Sequence, residues 1–241
     1  MAEKKVTTTT TDDSEIVHRA RGFWENYSRP ITIIGSIIII AIAGWYGYKE
    51  YIVKPKEKKA NEAIFAAESL FDKMASTAGF NKDSSVLVLN GSREMDITGV
   101  IKVINDYGGT KSANRAKYIA GATYLHLKDF PKAIQYLKDF DDDGAHQVKS
   151  KAYIMMGHAY AEQNKTDEAL DSYKKAASVN TKDEGLSADA LFLAASYAEA
   201  NGKKQEAIDL YTKLKNNYPT YVSVKSGDVD KYLAKLGILK D

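Results

Sequence analysis

Two histidines, His126 and His158, come closest by type and spacing to a metal site. They stand at comparable places in two similar segments, which could bring both imidazoles to one surface. Imidazole nitrogens bind zinc, copper, iron and nickel, but no third ligand shares this spacing. Contact with a bound polypeptide is therefore the better interpretation of the pair.

An acidic turn between these histidines could bind calcium. Asp139, Asp141 and Asp143 with Gly144 match the opening half of an EF-hand loop. A bidentate glutamate closes such a loop, and Ser150 stands in its place. The sequence leaves calcium binding open and favours a solvated turn between two helices.

Composition and motifs argue against several classes of active site. The chain has no cysteine, which removes thiolate zinc sites, disulfides and cysteine nucleophiles. It has no phosphate-binding glycine loop, zinc-protease helix motif, nucleophile elbow or dinucleotide fingerprint. Its 34 Lys and Arg against 32 Asp and Glu give a net charge of +2, too small a field to attract nucleic acid. We expect a non-enzyme with no cofactor, no metal, no nucleic acid and no small-molecule substrate.

An all-α fold is predicted for the elements that carry these residues. Hydrophobic residues make up 44% of the chain, enough to bury a core, and only 4 prolines interrupt it. Three segments of similar pattern follow one another from about residue 113. Their aligned alanines, Ala133, Ala169 and Ala207, are spaced by 36 and then 38 residues.

These segments resemble tetratricopeptide repeats, which have a period of about 34 residues. Small residues at Gly121, Gly157 and Ala195 would let the two helices of each hairpin approach closely. Each helix pair has an apolar face that it cannot bury alone, so stacked pairs form a continuous core. The resemblance implies an α-solenoid with about three clear repeats over 113–225, a degenerate first helix pair before them, and a capping helix over 226–241.

A single transmembrane helix is predicted over 30–48. The 18 residues from Ile31 to Tyr48 carry no charge, and at ~1.5 Å per residue they span ~27 Å, close to the thickness of the hydrocarbon core. Pro30 suits the first turn of a helix, and Trp45 suits the headgroup layer at the other end. Residues 1–29 are predicted to form a largely disordered tail that could include a short interfacial helix.

Residues 49–112 are predicted to hold a charged connecting helix and the degenerate first repeat. An irregular insertion at 81–94 would interrupt them, because Asn, Asp, Ser and Gly surround the apolar run 86–89 there. That run could form a small strand or an extended loop, and its contacts stay open. A short helix would follow, capped by Asp96 or Thr98.

The charges that flank the predicted membrane helix leave its orientation open. Arg19, Arg21 and Arg29 precede the apolar segment, and five lysines between residues 49 and 59 follow it. The lysines would keep the C-terminal domain in the cytoplasm, but long domains are translocated largely regardless of charge. The residues 41–43, Ala-Ile-Ala, look like a signal-peptidase site, so a cleaved export signal is an alternative to the anchor.

The whole layout resembles the YfgM-like family of bacterial inner-membrane proteins. The layout comprises a short tail, an apolar helix that ends in Gly-Trp-Tyr at 44–46, a charged helix and a small repeat domain. The turn at 106–110 and the helix after it also resemble repeat proteins common in Bacteroidota. The family resemblance implies an ancillary subunit or chaperone-adaptor of the Sec translocon that acts on secreted or membrane proteins.

The same resemblance implies a location and a set of partners. The N-terminus would lie in the cytoplasm and the repeat domain in the periplasm. The partners would be translocon subunits and a membrane-anchored prolyl isomerase or chaperone. Two alternatives are a cell-envelope coordination protein linked to outer-membrane assembly or cell division, and a cytoplasm-facing repeat receptor.

The binding surface is predicted on the first helix of each repeat, because that helix lines the concave face of a solenoid. Its non-core positions mix aromatic, aliphatic and charged groups, which suits a polypeptide better than a small metabolite. Tyr118, Ile154 and Phe192 could instead pack between repeats, since aromatic and aliphatic residues at helical spacing usually belong to a core. The predicted groove consists of Arg115, Tyr118, Leu125, His126, Lys151, Ile154, His158, Phe192, Ser196 and Glu199.

Overall fold

The computed structural model describes residues 13–238 and places the side chains of 21–76 and 79–238. The chain divides into two compact units at the junction of Pro55 and Lys56. Helices dominate both units, in agreement with the predicted all-α class. The described residues also contain a β-hairpin with two residues in each strand, which the sequence did not predict.

The first unit is built around α1, Asp13–Tyr48, which is followed by a π-helical segment, Lys49–Val53. Every isoleucine from Ile33 to Ile42 is more than half exposed. Among the described residues, one helix, within Arg21–Ser76, is long and apolar enough to cross a membrane, and none of its apolar window is buried. The length and composition of this helix therefore permit a membrane span.

α1 begins earlier than the sequence predicts. Residues 13–29 are helical, where a largely disordered tail was expected, and residues 1–12 lie outside the described part. Pro30 lies inside the helix, where its missing amide hydrogen removes one backbone hydrogen bond. The hydroxyl of Thr32 donates to the carbonyl of Ser28 at 2.8 Å. The helix continues through the proline.

The second unit consists of paired helices that stack in chain order. Its elements are α2 (Lys54–Lys73), which begins just before the unit boundary, a π-helical segment (Met74–Ala78), α3 (Lys82–Asn90), β1 (Gly91–Ser92), β2 (Ile97–Thr98), α4 (Val100–Asp106), α5 (Lys111–His126), α6 (Phe130–Lys138), α7 (His146–Ala161), α8 (Thr166–Ser178), α9 (Glu184–Ala200), α10 (Lys204–Asn217), α11 (Val222–Lys225) and α12 (Asp228–Lys235). The pairs α5–α6, α7–α8 and α9–α10 are the three clear repeats. α2, α3 and α4 share one apolar cluster with α5 and take the place of the predicted first pair.

The predicted irregular insertion at 81–94 is largely helical. Asn81 caps α3 by accepting a hydrogen bond from the amide of Ser84 at 2.8 Å. Val88 and Leu89 are buried in the cluster that α2 and α4 share. The apolar run is therefore neither a strand nor an extended loop. The expectation failed because Asn81 was assigned to a loop, whereas asparagine directly before a helix is a preferred N-cap.

The hairpin after α3 depends on a glycine. β1 and β2 are antiparallel, with Gly91 opposite Thr98. A Cβ atom added to Gly91 would lie 2.2 Å from the carbonyl oxygen of Ile97, and the φ angle of Gly91 is +76°. The N-cap of α4 is Gly99, and neither Asp96 nor Thr98 takes that role. The structure thus corrects the predicted start of this helix.

The predicted capping helix over 226–241 corresponds to the shorter helix α12, with α11 directly before the predicted segment. Val229 and Leu233 are buried against the last repeat. The ring of Tyr232 stacks on that of Tyr211 in α10, with centroids 5.2 Å apart. These contacts cover the apolar end of the stack, as a terminal cap must.

Paired helices approach most closely at a small residue. A Cβ atom added to Gly157 would lie 2.3 Å from Cε1 of Tyr173, and one added to Gly121 would lie 2.5 Å from Cγ of Leu137. Tyr173 is 1% exposed and Leu137 is fully buried. These glycines make the close approach for which the repeat pattern selects small residues.

A partly buried carboxylate contact attaches α2 to the beginning of α5. The carboxylate of Glu57 accepts hydrogen bonds from the backbone amides of Lys111 and Ser112, at 2.7 and 3.0 Å. It also accepts one from the Ser112 hydroxyl at 2.8 Å. The free amides at the N-terminus of a helix favour a negative charge. Glu57 therefore fixes α2 beside α5.

The protonation of Glu57 is coupled to this contact. Burial alone would raise the pKa of the carboxyl group. The hydrogen bonds from the Lys111 amide and from Ser112, together with the positive charge of Arg115, outweigh burial and lower the pKa below its ordinary value of 4.5. The ionised form thus stabilises the folded state.

We predict that Gly157→Ala lowers the stability of the repeat domain. A methyl group must displace the buried ring of Tyr173, and overpacking of this kind costs about 1–3 kcal/mol, against a gain in helix propensity of about 1 kcal/mol. Thermal unfolding of the full chain in detergent measures the change. Gly185→Ala is the control, because a Cβ atom added to Gly185 would lie 3.8 Å from an oxygen of Asp183, an ordinary van der Waals contact. An unchanged melting temperature for Gly157→Ala would contradict the close approach.

We also predict that Glu57→Gln lowers the free energy of unfolding by about 1 kcal/mol at pH 7, because the charged acceptor at the helix N-terminus is lost. The folded pKa of Glu57 lies below the unfolded one. Its contribution is therefore complete above pH 4.5 and disappears as the pH falls through the folded pKa.

The difference between the wild type and Glu57→Gln should accordingly shrink below pH 4.5. Denaturant unfolding at a series of pH values measures it. Glu62→Gln removes an exposed carboxylate from the same helix and serves as the control. A difference that stays constant down to pH 3 would rule out the ionised contact.

Candidate functional site

The residues predicted to line a groove all lie on α5, α7 or α9, the first helices of the three repeats. His126, Lys151 and His158 are exposed, as contact with a ligand requires. The other members of the set are partly buried. Only a part of the predicted surface is therefore open.

The α9 part of the predicted groove is a packing surface. The Phe192 ring lies 6.1 Å from the ring of Tyr211, between centroids. The hydroxyl oxygens of Ser196 and Tyr211 are 3.2 Å apart, and the Tyr211 hydroxyl donates to Glu199 at 3.1 Å. Glu199 also pairs with Lys235 of α12 at 2.7 Å. These side chains hold the last repeat against the cap, because α12 covers the face that the sequence prediction left open.

Ile154 and Leu125 are also only partly open. Ile154 packs against the core cluster that contains Leu170 and Tyr173, which is the packing alternative considered for it. Leu125 is half-buried near the end of α5. Both side chains are only partly accessible to solvent, so they contribute little to an open groove.

The two histidines are held apart by different partners. The His126 ring stacks on Phe80, with centroids 3.6 Å apart and planes inclined by 7°. Nδ1 of His158 is hydrogen-bonded to the hydroxyl of Tyr173 at 2.9 Å. Burial of the covered part of each ring lowers the pKa of both imidazoles below 6.5. Within the described residues, no group of three His, Asp or Glu side chains could hold a metal ion.

The acidic turn is tied to α5 by hydrogen bonds and an ion pair. The carboxylate of Asp143 pairs with Lys111 at 2.8 Å. The backbone amide of Asp141 donates to the side-chain oxygen of Asn114 at 2.9 Å, and the carbonyl of Asp139 accepts from a lysine of α5 at 3.0 Å. These contacts give the turn a structural role as the connection between two repeats.

An open cleft of about 380 Å³ lies beside this turn, between α2, α5 and the start of α7. We call it the α2–α5 cleft. Its floor is apolar and contains Phe71, Tyr118, Ile119, Phe140, Ala145 and Val148. Its rim is polar and contains Glu68, Asp72, Lys111, Asn114, Arg115, Asp142 and Asp143. A concave apolar site with a few polar groups is the usual form of a binding site.

Arg115 forms one wall of the cleft. Its Nε and Nη2 donate to the two carboxylate oxygens of Glu68 at 2.9 and 3.2 Å, and Nη2 also donates to Asn61 at 2.9 Å. This two-point geometry is the strong form of an Arg–carboxylate pair. Arg115 thus joins α5 to α2 and is not a free contact for a ligand.

Tyr118 lies on the floor of the cleft. Its ring centroid is 5.5 Å from that of Phe140. Burial raises the pKa of its phenol above 10, so that the hydroxyl stays neutral at physiological pH. Tyr118 therefore takes both roles considered for it, since it packs between repeats and lines the cleft.

Among the cleft residues, sequence reasoning proposed Arg115 and Tyr118 for the groove and Asp143 for the acidic turn. It missed Glu68, Phe71 and Asp72 because α2 carries no clear repeat pattern and was interpreted as a connecting helix. The signal was nonetheless present, since these three residues follow the buried Ile64 at helical spacing, on the side of α2 that faces α5.

Comparison with known families identifies the repeats. A family model described as tetratricopeptide repeat matches residues 154–222, from within α7 to the first residue of α11. No curated protein matches the chain. Tetratricopeptide repeats typically serve as scaffolds for protein–protein interaction and carry no catalytic site. The match and the paired helices support tetratricopeptide repeats over residues 154–222.

Proposed function

We propose that this chain is a membrane-anchored scaffold that binds other proteins. Two features of the chain together support the proposal. In α1 every isoleucine from Ile33 to Ile42 is more than half exposed, and none of the apolar window is buried by the described residues. The second unit is a tetratricopeptide-repeat domain with an open apolar cleft and exposed residues on its first helices.

The proposed anchor is a single pass through a bacterial inner membrane. The N-terminus would lie in the cytoplasm and the repeat domain in the periplasm. Trp45 and Tyr46 at the C-terminal end of the apolar segment are exposed, as residues of a membrane interface would be. The layout of the chain, which resembles the YfgM-like family, supports this orientation.

The proposed role is that of an ancillary subunit or chaperone-adaptor of the Sec translocon. It would bring translocon subunits together with a membrane-anchored prolyl isomerase or chaperone. Secreted or membrane proteins would be the clients. Support comes from the family resemblance and from the match to tetratricopeptide repeats, which typically serve as scaffolds for protein–protein interaction.

A cytoplasm-facing receptor is the second candidate function. The specific observation in its favour is the group of lysines after the apolar segment, of which Lys58 and Lys59 are exposed. Positive residues close to a membrane helix favour the cytoplasmic side. This candidate requires the opposite orientation of the repeat domain.

Paired topology reporters fused after Asp241 distinguish the two candidates. One reporter is active only outside the cytoplasm and the other only inside. We expect activity outside, because translocation of a long domain is largely independent of its flanking charges. Activity only inside would contradict the periplasmic scaffold and would support the cytoplasmic receptor.

Site-specific photocrosslinking in cells tests the binding role. We expect benzoylphenylalanine at His126 or Lys151, both exposed on first helices, to capture a small set of proteins that includes a translocon subunit. The same group at Asp209, an exposed position of the second helix α10, should capture fewer. Equal capture from all three positions would contradict a binding surface on the first helices.

A further inference from the structure

The rim of the α2–α5 cleft carries unequal charge. It presents four carboxylates and two cations. Both cations are already paired, Arg115 with Glu68 at 2.9 Å and Lys111 with Asp143 at 2.8 Å. Asp72 is exposed at the α2 side of the rim. The residues that line the cleft therefore carry two more carboxylates than cations around an apolar floor, and Lys149, which donates to the carbonyl of Phe140, lies beside them.

The acidic excess lies on two different elements. Asp72 belongs to α2, and Asp142 and Asp143 belong to the turn before α7. Asp142 contacts Nδ1 of His146 at 2.6 Å, and this contact lowers the pKa of Asp142. The Asp143 side chain remains 61% exposed although it pairs with Lys111. A cation that reaches either edge of the cleft would meet a carboxylate.

The floor can receive a large apolar side chain. Phe71, Tyr118 and Phe140 present ring surface, and Val148 adds an aliphatic edge. The volume of about 380 Å³ lies in the range of sites that bury small ligands. Removal of one Leu or Phe side chain from water into such a site is favourable.

We propose that the α2–α5 cleft binds a protein segment in which a large apolar residue is flanked by Lys or Arg. The apolar side chain enters between Phe71 and Tyr118, and the basic side chain pairs with Asp72 or Asp143. This inference rests on the proposed binding function and adds the chemical class of the partner. An acidic segment is excluded, because like charges across an interface are repelled.

The absence of cysteine from the chain allows a direct measurement. Ala145 is exposed and lines the cleft, so that an environment-sensitive dye on Ala145→Cys reports occupancy. The labelled full chain is placed in nanodiscs of zwitterionic phosphatidylcholine at low salt. Three dodecapeptides are titrated to millimolar concentration: one of Leu and Lys, one of Leu and Glu, and one of Ser and Lys.

We expect the Leu–Lys peptide to bind at least ten-fold more tightly than either of the others. Empty nanodiscs correct for binding of peptide to lipid. Equal affinity of the Leu–Glu peptide would overturn the basic requirement. Equal affinity of the Ser–Lys peptide would overturn the apolar anchor and leave only charge attraction.

Charge reversal locates the interaction. The double variant Asp72→Lys with Asp143→Lys should weaken the Leu–Lys peptide about ten-fold and strengthen the Leu–Glu peptide. The matched control reverses Asp171 and Asp209, which are exposed on the second helices α8 and α10. The two doubles change the net charge equally, so an equal loss in both would overturn the assignment to this cleft.

Failure of this inference is distinguishable from failure of the binding function. If photocrosslinks from Lys151 persist while the peptides show no preference, the scaffold role stands and the partner class proposed for the cleft is wrong. If the crosslinks are also absent, the binding function itself fails. Thermal unfolding of each variant confirms that it is folded before either result is interpreted.

Discussion

The close approach of the two helices in each repeat is the constraint on which the repeat domain depends. At Gly157 the backbone of α7 lies against the ring of Tyr173, and no side chain fits between them. The helices can then bury the tyrosine almost completely. Its hydroxyl would be left without a partner, but it reaches His158 on the facing helix. Gly157 therefore makes room for the ring of Tyr173, and His158 provides the hydrogen-bond partner for its hydroxyl.

In the other two repeats different residues lie opposite the small position of the first helix. In the first repeat Leu137 takes the place of the tyrosine opposite Gly121, and no polar partner is needed. In the third repeat Tyr211 is fully buried, and its hydroxyl is hydrogen-bonded to Glu199. Burial raises the pKa of Tyr211, and the carboxylate of Glu199 raises it further, to about 12. Glu199 thus forms contacts within the chain, to Tyr211 and to Lys235.

Periodic features of the fold can be predicted from the sequence, whereas features that depend on a single side-chain contact are missed. The spacing of Gly121, Gly157 and the aligned alanines is enough to predict the hairpins, because a close contact between helices tolerates only small side chains. The N-cap at Asn81 depends on a single side-chain hydrogen bond, and no period reveals it. The α2–α5 cleft depends on how Glu57 and Arg115 join an irregular helix to a regular one. Such a contact joins residues about 50 positions apart and leaves no repeating pattern.

The weak binding expected of this cleft suits an anchored protein. One apolar side chain contributes about 1.5–3 kcal/mol, and each exposed ion pair adds about 0–1 kcal/mol. The sum is comparable to the ~4 kcal/mol of a millimolar dissociation constant before the loss of translational and rotational freedom is subtracted, so binding is millimolar or weaker. Such a site is mostly empty when partners are dilute. Confinement to the same membrane raises the effective concentration of the partners at the cleft. A short linker between two binding modules has the same effect and gives effective concentrations in the millimolar range. The proposed anchor would thus make a weak cleft useful, and weak binding would let successive clients exchange.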